Sequence, residues 1–421
     1  MLHTWASDLF PINRSLTGNG VRETLGYIRD LIPNLQIHEV PSGTKVMDWA
    51  VPDEWNITEG YIETLHGHRI VDFAECNLHV VGYSTPLDRI ISWEDLKSHL
   101  YTLPTQPDAI PYVTSYYARN WGFCLRERDM TRFKDNEYHV VIKSSLAPGS
   151  LTYAELIIPG STSDEILLST YMCHPSMANN ELSGPVVMTA LARWLMNQTQ
   201  CKYTYRILFL PETIGSITYL ARHIDDLRSK VKAGWVLTCM GDDLSYSYVP
   251  SRLGNTLADR ISLAVLSGRG KPFRTYSYLD RGSDERQWCA PGVDLPVASI
   301  MRSKYGEFPE YHTSLDDLNF ITPEGLQGGL DIMVDAITVA ETNGKWRVKT
   351  LGEPQLGKRG LYPNVSIKES TALVRNMMNV IAYSDGEHDS IEISKKIGVA
   401  IAGVTEIIQK LFEASLLEKI E

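Results

Sequence analysis

Four short segments of the 421-residue chain carry side chains that could do chemistry together. They are Tyr171-Met-Cys-His-Pro-Ser-Met-Ala-Asn-Asn-Glu-Leu-Ser-Gly, Phe209-Leu-Pro-Glu-Thr-Ile-Gly-Ser, Leu237-Thr-Cys-Met-Gly-Asp-Asp and Glu310-Tyr-His-Thr-Ser-Leu-Asp-Asp-Leu. His174, Asn180, Glu181, Glu212, Cys239, Asp242 and His312 are the side chains of interest. Imidazole, carboxylate and thiolate ligands hold zinc with one position open for water, and a nearby carboxylate can move that water's proton. A lone histidine after a strand is ordinarily a satisfied polar residue. The metal reading gains weight here because all four segments fall at one end of one predicted sheet.

The elements that would position them follow from pattern. Residues 150–345 alternate β-rich runs such as Glu165-Ile-Leu-Leu-Ser-Thr-Tyr and Tyr205-Arg-Ile-Leu-Phe-Leu with helical stretches near 184–196 and from 216. That alternation predicts βαβ units around a mostly parallel sheet flanked by helices, with reacting groups at the carboxyl ends of the strands. A helical period in residues 1–36 ends at Pro33, and residues 37–130, rich in Trp, Tyr, Pro and β-branched residues, read as an inserted β-rich domain. The α/β domain is therefore expected to be discontinuous, 1–36 plus 131–349. A Gly/Pro-bearing linker from Gly352 to Pro363 precedes three helices, a turn at Ser384-Asp-Gly and a short terminal strand, the outline of a winged helix-turn-helix over 350–421.

The order of the four segments resembles the zinc aminopeptidase family that also includes glutamate carboxypeptidase and glutaminyl cyclase. In that family a histidine follows a strand, Asp-Asn-x-Ser-Gly supplies a bridging carboxylate, and Glu-Glu-x-Gly supplies a general base and then a ligand. Asp-Met-x-Gly supplies a further carboxylate, Gly-Ser-Asp-His lines the site and Tyr-His-Thr-x-x-Asp gives the last histidine. His174 and His312 match outright and Glu212 falls on the general base. Asn180 stands at the bridging aspartate, Thr213 at the metal-binding glutamate, Cys239 at the next carboxylate, and Gly282-Ser-Asp-Glu replaces Gly-Ser-Asp-His. The whole chain is similar to the bacterial aminopeptidase-like branch with an inserted domain and a winged-helix tail, some of whose members are associated with polysaccharide biosynthesis.

The resemblance implies a zinc-exopeptidase-like fold and a hydrolase that cleaves an amide or peptide bond with metal-activated water, Glu212 carrying the proton. With the bridging aspartate replaced, one zinc is expected rather than two. His174, Asn180, Asp242 and His312 would form the metal site, with Glu181 and Cys239 as further candidates. A substrate amino group would suit Asp284 or Glu285, and a substrate carboxylate Arg286, Arg252 or Arg14; the sequence leaves the two open. Three departures at ligand positions support an alternative, a peptide- or glycan-binding or assembly protein on the same fold.

Composition narrows the partners. With 43% hydrophobic and 22% charged residues the chain is that of an ordinary globular protein, and its formal charge of -11 argues against coating nucleic acid or anionic membrane. The tail from residue 351 has eight Lys and Arg against ten Asp and Glu, so its winged-helix shape is expected to serve protein contact or homo-oligomerisation rather than DNA. The start of the chain lacks a secretory pattern and the six cysteines lack CxxC spacing, which makes a cytoplasmic protein the expectation.

Overall fold

The computed structural model describes residues 1–361 and 368–420; the end of the expected linker, Pro363 included, lies outside them. The chain divides into two units, Met1–Gly254 with Arg274–Leu330, and Asn255–Phe273 with Asp331–Glu421.

The first unit is organised by an eight-stranded mixed sheet. Its middle is a parallel quartet in the spatial order Thr204–Leu210, Glu165–Tyr171, Val231–Leu237, Val297–Met301. All seven residues of Glu165–Tyr171 are buried, as expected of a strand covered on both faces. Helix Ser183–Met196 lies against this middle, and Gly184 is what lets it approach: a Cβ there would meet the Leu237 carbonyl oxygen at 2.4 Å. Tyr171 pairs with Leu210 and Thr170 with Leu237, so the segments that follow the three strands leave the sheet along one edge. Flanking strands pair antiparallel except for the parallel pair Ser247–Val249 and Arg274–Thr275; Gln36–Pro41 pairs with Ser150–Ile158 in a register that sets Pro41 opposite Ser150.

Between Pro41 and Ser150 stands a four-stranded antiparallel sheet in the order Arg69–Asp72, Glu54–Thr64, Glu137–Ala147, Leu87–Ser92. It has its own core, including Ile62, Val71, Phe123, Tyr138, Val140 and Ile142. The sequence reading ended the insertion at 130. Yet Glu137–Ala147 is the central strand of this sheet, paired along its length with Glu54–Thr64, because alternate residues Tyr138, Val140 and Ile142 face that core.

In the second unit, helices Lys368–Tyr383, Ser390–Ile397 and Ile401–Glu413 surround a core that includes Trp346, Val380, Ile393, Val404 and Leu411. Three strands, Asp385–Asp389, Lys345–Val348 and Leu417–Lys419, form its sheet. Lys345–Val348 lies ahead of residue 350, the expected start of the module, and the expected turn at Ser384-Asp-Gly opens a strand. Asp389 forms a capping box at the start of Ser390–Ile397, and Gly398, at φ 65°, ends that helix. Helix Leu257–Gly268 packs against Ser390–Ile397 and Ile401–Glu413. Among the described residues no helix is long and apolar enough to cross a membrane, and all six cysteines are free thiols.

Candidate active site

His174 stands three residues beyond strand Glu165–Tyr171 and is followed by a single π turn, Ala178–Leu182, that brings Glu181 back to it. Glu181 Oε1 accepts the His174 backbone N–H at 2.8 Å, and Oε2 lies 2.8 Å from Nδ1, slightly off the best hydrogen-bond direction. A carboxylate on Nδ1 fixes the ring's orientation and leaves Nε2 as the face for a ligand. That nitrogen lies 3.8 Å from Glu212 Oε2, and the His312 ring is 5.4 Å away, centre to centre. Cys173 Sγ is 3.4 Å from Nδ1 and accepts the Glu212 N–H at 3.2 Å. Cys173, His174 and Glu181 thus offer three potential ligand atoms within 4.8 Å of one another. They cluster on the Nδ1 side, which Glu181 already occupies, so the trio reads better as support for the ring than as a metal cage.

A loop of the inserted segment, between Tyr101 and Phe123, contributes a wall. Tyr112 packs on His174 and His312 with ring centres 5.0 and 5.3 Å away, and its N–H donates to the His312 carbonyl at 2.9 Å. Pro111 bridges to Thr313, and the Ser314 N–H donates to the Ile110 carbonyl. Tyr311 stacks on His312 at 3.9 Å.

Backbone strain collects here. Ser176, Thr213, Cys239 and His312 are non-glycine residues with φ of 43°, 63°, 51° and 56°, a conformation that costs of order 1–3 kcal/mol each where surroundings enforce it. Thr213 is the centre of a γ-turn, its flanking Ile214 N–H donating to the Glu212 carbonyl at 2.7 Å. Asp284 Oδ1 holds the turn by accepting the Thr213 N–H at 2.7 Å and the Ser216 hydroxyl at 2.9 Å. The Arg286 guanidinium donates to Thr213 Oγ1 at 2.9 Å and lies 3.7 Å from Glu212. The strained turn therefore aims Glu212 at His174.

Burial dominates the electrostatics. It pushes the Glu212 carboxyl up to about 8, against the pull of His174 and with the push of Asp284. Asp284 rises to about 6, chiefly through burial, against its hydrogen bonds from Thr213 and Ser216. Burial, with the His174 charge, pulls His312 down to about 3, which keeps it a neutral ring. Burial also opposes charge on His174, but Glu181 outweighs it and the histidine is raised. Arg14, held by the Leu9 carbonyl at 2.7 Å, is lowered to about 10 by burial despite Glu181 and Cys173 close by.

His174, Glu181, Glu212 and His312 are brought together, with Arg286 and Asp284 behind Glu212. Asn180 lies beneath: its Oδ1 accepts the Tyr171 hydroxyl at 3.1 Å and faces Cys239 Sγ at 3.9 Å. Cys239 is buried in an apolar cluster with Val249, Met301, Tyr305 and Phe308. Asp242 does not join the group. Its two oxygens accept four bonds, from Leu244 N–H, the Ser303 hydroxyl, Asn179 Nδ2 and Ser303 N–H, and the buried carboxylate anchors that loop instead of ligating. Glu285 is turned inward, accepting from Gly282, Ser283 and Tyr305. Arg252 pairs with Asp294 and the Cys289 carbonyl. Cys173 and Tyr311, each beside a histidine in sequence, and Asp316, which accepts the N–H groups of Asn179 and Asn180, were not singled out in advance. Adjacency to the histidines was the available signal for the first two.

The two histidines present the ligand atoms that a divalent ion would use. Among the described residues His174 Nε2 and the His312 ring have no hydrogen-bond partner; the first is oriented by Glu181 and lies beside the Glu212 carboxylate, and the second lies alongside His174.

Residues 3–343 match the family described as a domain of unknown function (DUF4910). The chain belongs to that family. Residues 345–419 match a winged helix-turn-helix. Within the same range of similarity, a Clostridium acetobutylicum protein is 43% identical over 99% of this chain and 96% of its own; its name proposes a polysaccharide biosynthesis role and an aminopeptidase-like domain. A crystal structure of a proposed peptidase from Clostridium acetobutylicum matches with a TM-score of 0.94 at 42% identity, covering 100% of this chain and 96% of that one. A zinc aminopeptidase from Bacillus subtilis matches with a TM-score of 0.58 at 13% identity, over 80% of this chain and 93% of its own. That likeness is one of fold, and it places this DUF4910 chain on the zinc-aminopeptidase architecture.

Proposed function

We propose that the chain is a metal-dependent amide hydrolase, with one zinc held by His174 Nε2 and His312 and with Glu212 as the proton carrier. The observation that carries this reading is the Glu181 clamp on His174, which turns Nε2 toward both His312 and Glu212. A zinc ion bound there would lower the pKa of water and polarise a carbonyl. Glu212 takes the proton of the attacking water and returns it to the leaving nitrogen; beside a cation its raised carboxyl ionises more readily than in the ion-free pocket. Tyr112 and Tyr311 exclude water from the faces of the two histidines. Asn180 and Cys239 are set aside as ligands in favour of the histidine pair, and Asp242 as a loop anchor. The name of the Clostridium acetobutylicum relative supports an acyl-amide in polysaccharide biosynthesis as the setting. The acidic tail supports protein contact for the winged helix, and an absence of DNA binding at low salt is the expected result.

The test joins metal content to turnover. Purified full-length protein should hold about one equivalent of zinc, lost in His174→Ala, and a panel of acyl-amides should yield a substrate whose cleavage depends on it. No zinc in the wild type, or metal content unchanged in His174→Ala, removes the reading. A second reading, a binding protein without hydrolysis, is favoured by one observation: Arg286 bonds Thr213, where the resemblance places a metal-binding glutamate. Cleavage equal in wild type and Glu212→Gln would favour it.

A further inference from the structure

We infer that this site, on the hydrolase reading, takes an amide that bears a carboxylate gripped by Arg286, and does not recognise its substrate by a free amino group. Recognition of an ammonium needs a carboxylate that solvent and substrate can reach. Glu181, Asp284, Glu285 and Asp316 surround the site, and each is 0% exposed. Glu181 is engaged with His174, Asp284 through Oδ1 with Thr213 and Ser216, Glu285 through Oε1 with Gly282, Ser283 and Tyr305, and Asp316 with the N–H groups of Asn179 and Asn180; Asp284 Oδ2 and Glu285 Oε2 have no hydrogen bond but are sealed from solvent with the rest. Glu212 is the carboxylate the reaction itself uses.

Arg286 is presented in the opposite way. Its side chain is 40% exposed, and two bonds fix its plane: Nε donates to the Ser283 carbonyl at 3.0 Å and Nη2 to Thr213 Oγ1 at 2.9 Å. Nη1 has no partner among the described residues. A guanidinium held by one edge offers the other as a planar fork, the geometry that pairs with a carboxylate through parallel bonds. The 3.7 Å approach of Nη2 to Glu212 sets the fork next to the reacting carboxylate, and Tyr311 lies within electrostatic reach of both. Neither other candidate arginine is available: Arg252 is paired with Asp294, and Arg14 is 1% exposed.

Three probes separate the classes by binding alone: N-acetylglycine carries only the carboxylate, glycinamide only the amino group, and N-acetylglycinamide neither. Titrated by calorimetry or ligand-observed NMR into the zinc-loaded full chain, N-acetylglycine should bind roughly tenfold tighter than N-acetylglycinamide, and Arg286→Gln should abolish that preference. Arg286→Lys should restore it in part, and Arg252→Gln should leave it intact. Equal or undetectable binding of the three probes, tighter binding of glycinamide, or an unchanged preference in Arg286→Gln would overturn the inference. Carboxylate preference without any turnover defeats the hydrolase reading alone; zinc-dependent turnover with an amino-group preference defeats this one alone.

Discussion

The carboxyl edge of the large sheet and the winged-helix unit obey local rules to different degrees. In the winged-helix unit, Asp389 caps a helix, Gly398 ends it with the φ glycine favours, and an apolar core closes beneath. Along the sheet edge, four non-glycine residues hold φ values that glycine favours, and charged groups are buried in numbers. Local consistency stabilises a fold, whereas departures from it collect where geometry serves chemistry. The contrast separates residues held for stability from residues held for aim.

Substitutions can break or sharpen that contrast. Glu212→Gln should lower turnover by about 10²–10⁴-fold while leaving the melting temperature nearly unchanged, the range general acid–base groups supply; kinetics beside a thermal melt check it. Leu411→Ala, in the winged-helix core, should do the reverse, costing about 2–5 kcal/mol in denaturant unfolding with turnover per folded molecule intact. Asp389→Ala removes a capping box and a pairing with Arg260, and should cost about 1–2 kcal/mol. Thr213→Gly relieves a strained φ, so unfolding should show a gain of about 1 kcal/mol while turnover falls, since Glu212 loses its fixed aim. A loss of both stability and activity there would mean the turn is structural.

The smallest effect concerns pH. His139 sits between Asp88 at 2.8 Å and Glu63 at 2.9 Å, and its hydrogen bonds to those carboxylates, Asp88 first, raise its pKa. A raised histidine stabilises the fold fully below its unfolded value of about 6.5. The contribution fades as pH climbs through the raised folded value. His139→Gln should flatten that part of the stability profile, measured by melts from acid to mildly alkaline pH.

Much of this was legible in the sequence for physical reasons. The βαβ alternation located the strand ends, and strand ends located His174 and Glu212; His312 lies in a turn-rich loop well past Val297–Met301, and its Tyr-His-Thr context, not a strand end, marked it. Asp242 misled because an acidic residue three positions past the candidate ligand Cys239 looks the same whether it faces a metal or anchors a loop; only its four bonds decide. The limit of the insertion was missed because the tail of one β-rich sheet runs into the first strand of the next, with Gly149 as the slight break between Ala147 and Ser150. The aromatic stretch from Tyr112 to Trp121 is readable as wall material for a pocket, but Tyr112 is separated by 62 residues from His174 and 200 from His312, and no spacing rule says which side chains it covers.

The pairing of Pro41 with Ser150 gives the inserted sheet a modular character. Its two ends leave and rejoin the main sheet one strand spacing apart, about 4.8 Å, so the excursion between them is topologically one long hairpin loop. A tight turn could close the same gap without disturbing the register of either strand. Such a shortened chain would keep the pairing of those two strands and would lose the tyrosine that covers the histidines. The excursion is therefore both a wall for the histidines and a part of the main core, since its Val46, Val51, Trp55 and Tyr83 bury together with Leu167, Leu208 and Trp288.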